Sequence, residues 1–363
     1  MAKRVGVDKW LFGTVLLLAL FGLVMVFSAS AVMAQATAGS PYAFVSKQAL
    51  FVVAGMIALF VLMRIDYRKY NNPKLIFPLM AITGLLLMGV FVMGGTNGAH
   101  RWIRLAGMTL EPSELAKPVI VLFLAWFLQT RVHAMDDFKG TILTAVLPPL
   151  VFIALILKEP DLGTALVCAA AVFAMLYLAG MQVKWFFVAI VAASPIMYWM
   201  LFRVAFRAAR MKVFLNPEAD PKGAGFHILQ SLIAVSTGGI RGLGLMEGRQ
   251  KLFYLPEPHT DFIFANICEE LGLIGAICVV ALFCVLGYRG LRAAFLSTDP
   301  FARFLAFGLT TAILVQAFFN MSVVIALLPT KGIPLPFISS GGTSVFVTLA
   351  SMGVLLNMTR EID

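Results

Sequence analysis

The chain has 363 residues, of which 61% are hydrophobic and only 13% charged. Its apolar runs repeatedly reach the ~20 residues needed to cross ~30 Å of hydrocarbon, which excludes a soluble globular protein and indicates a polytopic membrane protein. The net charge of +10 would suggest nucleic acid in a soluble protein; here it is assigned to membrane flanks and an anionic ligand, with no nucleic acid as partner.

The predicted elements are ten spans, near 10–33, 46–63, 75–93, 113–130, 141–157, 163–180, 184–202, 261–287, 302–327 and 343–358. The expected fold is all-α, one membrane domain over 1–363, with a long extracytoplasmic loop at about 203–260 between helices seven and eight. Lys3, Arg4 and Lys9 ahead of the first run resemble a secretory signal, but Trp10 to Met33 is longer than an h-region of about 7–15 residues, so a retained helix is expected. Ten is even, so both termini share a side. That side holds fourteen Lys and Arg against six opposite once the 203–260 loop is omitted, which makes it cytoplasmic. Cys168, Cys268, Cys278 and Cys284 fall inside spans without metal spacing and read as small core residues. The N-x-S/T matches at Asn320 and Asn357 lie in or at the end of spans and are discarded as glycosylation sites.

Eleven of the eighteen acids belong to the outer segments or adjoining helix ends, so the polar chemistry is expected on that face. In NGAHRW, Asn97 to Trp102, Arg101 and Trp102 suit an interface anchor; Arg101 equally suits a phosphate, and Trp102 a sugar or lipid tail. In EPSELAKP, Glu111 to Pro118, Pro112 and the acids fit a helix start. Glu114 and Lys117 share a face and can pair, and Lys117, lying toward the apolar run, is expected to meet a polar cavity. KEPD, Lys158 to Asp161, packs three charges into a tight turn, so Glu159 and Asp161 are candidates for cation coordination or ion pairing, beside the reading of a solvated turn. Gly239, Gly242 and Gly244 read as a flexible turn without a P-loop's Lys-Ser/Thr.

Tyr254 to Gly272, YLPEPHTDFIFANICEELG, runs a polar stretch with His259 and Asp261 into an apolar helix. An ionisable group at the lip of a span is by default a functional hypothesis. The plain alternative is that Thr260 caps the helix and Asp261 lies in its first turn, where the dipole favours a negative charge. Glu269 is about 12 Å further along that helix and Glu270 is off its face, so a single carboxylate base fits better than a two-carboxylate site. Finally, LPTKGIPLPFISSGGTS, Leu328 to Ser344, interrupts helix with prolines and glycines and is expected to be re-entrant, with Lys331 able to face an anion.

With these motifs, the chain resembles the SEDS family (shape, elongation, division and sporulation), polytopic peptidoglycan glycosyltransferases of bacteria. The resemblance spans nearly the whole chain, and PTKG-x-PLPFIS is closer to the division branch than to the elongation branch. Departures are Ser340, where the family usually shows Tyr, and the LMEG stretch around Met246 to Gly248. The resemblance implies polymerisation of lipid II at the outer leaflet of the bacterial cytoplasmic membrane during septal wall synthesis. It implies Asp261 as general base, and Arg101, Trp102, Glu114, Lys117 and Lys331, with His259 beside them, as residues of the substrate and pyrophosphate cavity. It further implies a class B penicillin-binding transpeptidase and other divisome membrane proteins as partners, and Mg or Mn as the candidate cation, with no organic cofactor. A lipid II flippase and a noncatalytic scaffold are the competing classes; clustering of charge on one face favours an enzyme over a transporter.

Overall fold

The protein is described here by a computed structural model, which covers residues 6–92, 101–105, 108–131, 134–135, 137–203, 205–217, 220–221, 223, 225–252 and 254–361. Asn97 to His100 of the NGAHRW motif, Glu218, and the flanking Lys3 and Arg4 lie outside these residues.

The helices that correspond to the expected spans are α1 (Lys9–Ala38), α2 (Ala43–Arg64), α3 (Pro73–Val90), α4 (Pro112–Leu128), α5 (Thr144–Lys158), α6 (Leu162–Leu178), α7 (Val183–Tyr198), α10 (Ile263–Leu296), α11 (Pro300–Val324) and α12 (Gly342–Met358). α1, α2, α3, α10, α11 and the stretch Lys139–Lys158 containing α5 are long and apolar enough to cross a membrane. α4, α6 and α12 have 17 residues each, or about 25 Å of rise, at the lower limit for a span. The protein is thus a helical, multi-pass membrane protein. Its exposed large side chains, such as Leu50, Ile57, Leu85, Phe187 and Ile277, suit contact with acyl chains.

Four features depart from the sequence expectation. The segment expected as the long loop contains two further helices, α8 (Ala205–Leu215) and α9 (Phe226–Gly238). A two-stranded hairpin, β1 (Ile103–Leu105) with β2 (Met108–Leu110), precedes α4, its pairing running Ile103 to Leu110. Cys278 and Cys284 are exposed, whereas Cys168 and Cys268 are core residues as expected; both exposed thiols lie on α10, which turns one side outward at Leu273, Ile274 and Ile277. Finally, α10 is broken at Gly272, whose φ of 66° and ψ of −163° are non-helical. The expected eighth span is therefore two helical pieces, with Asp261 ahead of the first.

The break has a specific partner. A helix interruption frees carbonyls before it and N–H groups after it, and these need acceptors and donors where water is scarce. The carbonyls of Glu269 and Glu270 accept from the N–H groups of Leu243 and Gly244, at 3.0 Å each. The N–H groups of Leu273 and Ile274 donate to the carbonyls of Gly239 and Ile240. The 239–244 glycine turn thereby supplies what the helix lost. Gly242, at φ +79°, permits this approach: a β-carbon there would lie 2.1 Å from the Glu270 carbonyl oxygen. The two acids at the break are consumed by the same loop. Glu269 accepts from the N–H groups of Arg249 and Gln250, while Glu270 pairs with Lys251 Nζ at 2.6 Å and accepts from Ser28 Oγ of α1. Lys251→Met leaves Glu270 buried without its cation, and a loss of about 3–5 kcal/mol is expected; thermal unfolding of the detergent-solubilised protein should show a marked fall that Lys251→Met combined with Glu270→Met largely restores.

Candidate active site

The segment between α11 and α12 lacks regular structure and is buried at Ile333, Leu335, Phe337, Ile338 and Ser339. Irregular backbone in that setting must find partners inside the protein. Gln48 of α2 donates from Nε2 to the Ser339 carbonyl, and Gln316 of α11 donates from Nε2 to the Pro334 carbonyl at 2.9 Å. Asn320 of α11 donates to the Ile333 carbonyl at 2.7 Å. Ser339 Oγ donates to the Thr260 carbonyl at 2.6 Å, and the Ser340 N–H donates to the His259 carbonyl at 2.9 Å. The segment expected to be re-entrant is thus fastened to the turn that bears Asp261.

Asp261 lies in that turn, just before α10. The residue preceding the helix is Phe262, without a side-chain cap, and Thr260 Oγ1 hydrogen-bonds to Glu257 rather than to the helix N-terminus. The capping account of Asp261 and Thr260 therefore does not hold. The Asp261 carboxyl instead lines a cavity of about 420 Å³ together with Arg210, His227, Glu257, Lys331 and Gly332. Gly332 comes so near that a β-carbon on it would stand 2.8 Å from Asp261 Oδ2. A smaller volume of about 40 Å³ is lined by Arg101, Asp161 and Gly163, and shares Arg210, Lys331 and Gly332 with the first. The two form neighbouring compartments, one with the carboxyl and both with cations.

The charges set the chemistry. Burial pushes the Asp261 carboxyl up to about 7; the negative charges of Glu257 and Asp161 add to this, against the pull of Arg101 and Arg210. A carboxyl near neutrality is suited to accept a proton. Burial also lowers Arg210 and His227, so His227 is neutral at physiological pH. Arg101 donates to the carbonyls of Glu159 and Pro160, at 3.4 and 2.6 Å, and stands 4.0 Å from Asp161 Oδ1. Asp161 also caps α6, accepting from the Thr164 N–H. Glu159 is fully buried with neither carboxyl oxygen hydrogen-bonded, and burial raises it to about 8, which favours its neutral form at pH 7.

The structure brings together Arg101, Asp161, Asp261 and Lys331 of the residues singled out from sequence, and sets the others apart. Glu114 and Lys117 line neither compartment. They form the expected ion pair, Nζ to Oε2 at 2.7 Å, but it is buried in α4, and Lys117 also donates to Gln316 Oε1. Lys117 also lines a separate cavity of about 20 Å³ with Gln316, Thr348 and Ser351, apart from the two compartments near Asp261. His259 is buried, its ring packed at a 48° tilt against Phe44 of α2 with 4.9 Å between centroids. Trp102 is 39% exposed and lines neither compartment. Sequence reasoning missed Arg210, His227, Glu257 and Asn320. The signal for Arg210 was present as the cationic run Arg203, Arg207, Arg210 and Lys212 in an apolar stretch.

The family model of the FtsW/RodA/SpoVE cell cycle proteins matches residues 8–363. The chain belongs to this family. It is 43% identical over 345 residues to the probable peptidoglycan glycosyltransferase FtsW of Geobacter metallireducens, covering 94% of this chain and 92% of the relative. It is 39% identical over 364 residues to stage V sporulation protein E of Bacillus subtilis, covering 99% and 98%. Among solved structures, a chain of a peptidoglycan synthase complex coordinating polymerization and crosslinking superposes with TM-score 0.79 at 26% identity, covering 98% of this chain and 97% of the other. The rod shape determining protein RodA of Thermus thermophilus superposes with TM-score 0.70 at 25% identity, covering 98% of each.

A raised carboxyl is protonated below its pKa, and carbodiimides modify protonated carboxyls. Peptide mass spectrometry after dicyclohexylcarbodiimide treatment should find Asp261 modified at pH 6, with the yield falling as pH rises through about 7.

Proposed function

We propose that the protein is a peptidoglycan glycosyltransferase that polymerises lipid II into β-1,4 glycan strands at the outer face of the bacterial cytoplasmic membrane, in the division branch of its family. The observation that carries this reading is Asp261, a carboxyl at about 7, in one cavity with Arg210 and Lys331 and beside Arg101. Sugar transfer from a lipid diphosphate needs a base at the attacking hydroxyl and positive charge at the leaving group. Asp261 takes the proton of the acceptor GlcNAc 4-hydroxyl, whose oxygen forms the new bond to the donor's anomeric carbon. The bond from that carbon to the diphosphate oxygen breaks, and its electron pair leaves with the diphosphate toward Arg101, Arg210 and Lys331. One displacement converts an α-linked donor into a β linkage. Gly332 leaves room at the carboxyl, and Arg101, held by the Glu159 and Pro160 carbonyls and 4.0 Å from Asp161, lines the neighbouring compartment where a phosphate would sit.

No group of three or more His, Cys, Asp or Glu among the described residues forms a protein-only metal cage. A divalent cation shared between protein and donor would take one carboxylate from Glu257, which lines the Asp261 cavity, and its remaining oxygens from the donor's phosphates and water, a common arrangement for Mg²⁺. When bound, such a cation would supply further charge neutralisation at the leaving group.

The superposed synthase complex supports a penicillin-binding protein as partner; the division-branch reading extends the proposal to a class B transpeptidase and other divisome membrane proteins. The excess of Lys and Arg on the side of the termini supports cytoplasmic ends.

Polymerisation of purified lipid II by the protein with its partner synthase tests the reading. Asp261→Asn keeps the shape of the side chain and removes the base, so a loss of about 10²–10⁴-fold is expected with unchanged thermal unfolding. The wild-type rate should rise with pH through about 7, as the carboxyl ionises. Strands made equally by wild type and Asp261→Asn would remove Asp261 from the chemistry; strands from neither would turn the question to lipid II translocation in vesicles.

A further inference from the structure

Asn320 of α11 is 2% exposed and ties two separate stretches of the chain together. Its Nδ2 donates to two carbonyls from different parts of the chain, that of Asp261 at 2.8 Å and that of Ile333 at 2.7 Å. Its Oδ1 has no hydrogen-bond partner, so the residue serves here only as a double donor. One turn earlier on the same helix face, Gln316 holds the next carbonyl, Pro334, and is itself held by Lys117, which Glu114 pairs. Two successive carbonyls of the irregular segment are thus fixed to α11. Gly332, immediately before them, is the residue that stands against Asp261 Oδ2.

We propose that Asn320 is a positioning residue for the transfer reaction: by clamping the Asp261 and Ile333 carbonyls together, it holds the Lys331–Gly332 backbone against the Asp261 carboxyl and sets the spacing of base and cation. The inference rests on the reading of Asp261 as base. It gives Glu114 and Lys117 a place in the same chain of contacts, at its far end from the cavity. The amide cannot be replaced by an isostere without its donors. An Asp there would aim an acceptor at two carbonyls, and a Leu would leave both unpaired.

Loss of the clamp releases Gly332 from the carboxyl and admits water. The groups that face Asp261 otherwise stay in place: Glu257 from the preceding turn, Arg210 from α8, His227 from α9, and Arg101 and Asp161 from the segments ahead of β1 and α6. With less desolvation, the acid limb of the rate moves to lower pH while the rate at its plateau falls. A displacement of about 1 Å at a reacting group can cost about 10²-fold, and that is the loss expected in kcat, with KM for lipid II little changed.

The test compares wild type, Asn320→Asp, Asn320→Leu and Asp261→Asn in complex with the partner synthase, reading kcat, KM and the pH profile per folded molecule, with folding followed by thermal unfolding. Lowered kcat with the acid limb shifted, in whichever Asn320 variant folds, supports the clamp. A folded Asn320 variant with the wild-type kcat and pH limb, beside an inactive Asp261→Asn, overturns the clamp alone, as does loss confined to the yield of folded protein. Activity retained by Asp261→Asn overturns the base reading and the clamp with it.

Discussion

Backbone polar groups removed from water must bond to protein, and this constraint organises the face that carries Asp261. The 328–341 segment cannot be helical, since Pro334, Pro336 and the Gly341–Gly342 pair interrupt it, yet its apolar side chains draw it into the core. Its carbonyls are therefore met by amides projecting from flanking helices: Gln48 from α2, Gln316 and Asn320 from α11. A rigid, irregular segment results, able to bring Lys331 and Gly332 to a carboxyl in a way no continuous helix could.

The same constraint explains the break in α10. Gly272 opens the helix, and the 239–244 turn returns the four lost hydrogen bonds. Gly22 of α1 serves a related end, since a side chain there would meet the Phe337 carbonyl at 2.5 Å. Glycine is required at these points because backbone passes against backbone. Ionisable groups follow the parallel rule for charge. Lys117 with Glu114 and Lys251 with Glu270 are neutralised in place and spent on structure, while Arg101, Arg210 and Asp261 line the two neighbouring compartments.

Much of this was legible along the chain. Apolar length gave the spans, because the thickness of hydrocarbon acts on each helix separately, and prolines with paired glycines marked the irregular segment. Asp261 stood out as a carboxylate at the mouth of a span, and Lys331 as a cation in a stretch where prolines and glycines stop the helix. The roles of Glu114, Lys117 and His259 were less legible. A motif reports that a residue is constrained without saying whether a ligand or a neighbouring helix constrains it. Lys117 faces Gln316, 199 positions away, and His259 packs against the Phe44 ring. Arg210 and His227 escaped notice because α8 and α9 lie in a stretch read as loop, where no periodicity pointed to a common cavity; Glu257 lies within the 254–272 stretch, and only packing brings it to the Asp261 cavity.

The sequence by itself determined the membrane class, the apolar helices that build it and the carboxylate at the mouth of one of them, because these follow from local composition and the bilayer's thickness. Only the tertiary structure decided which charges pair internally and which line a cavity. It also decided that Asp261 is pushed to about 7 rather than held low by a helix terminus. Both outcomes depend on contacts between residues far apart in the chain: a pKa responds to burial and neighbouring charge, and neither is set until the helices have packed.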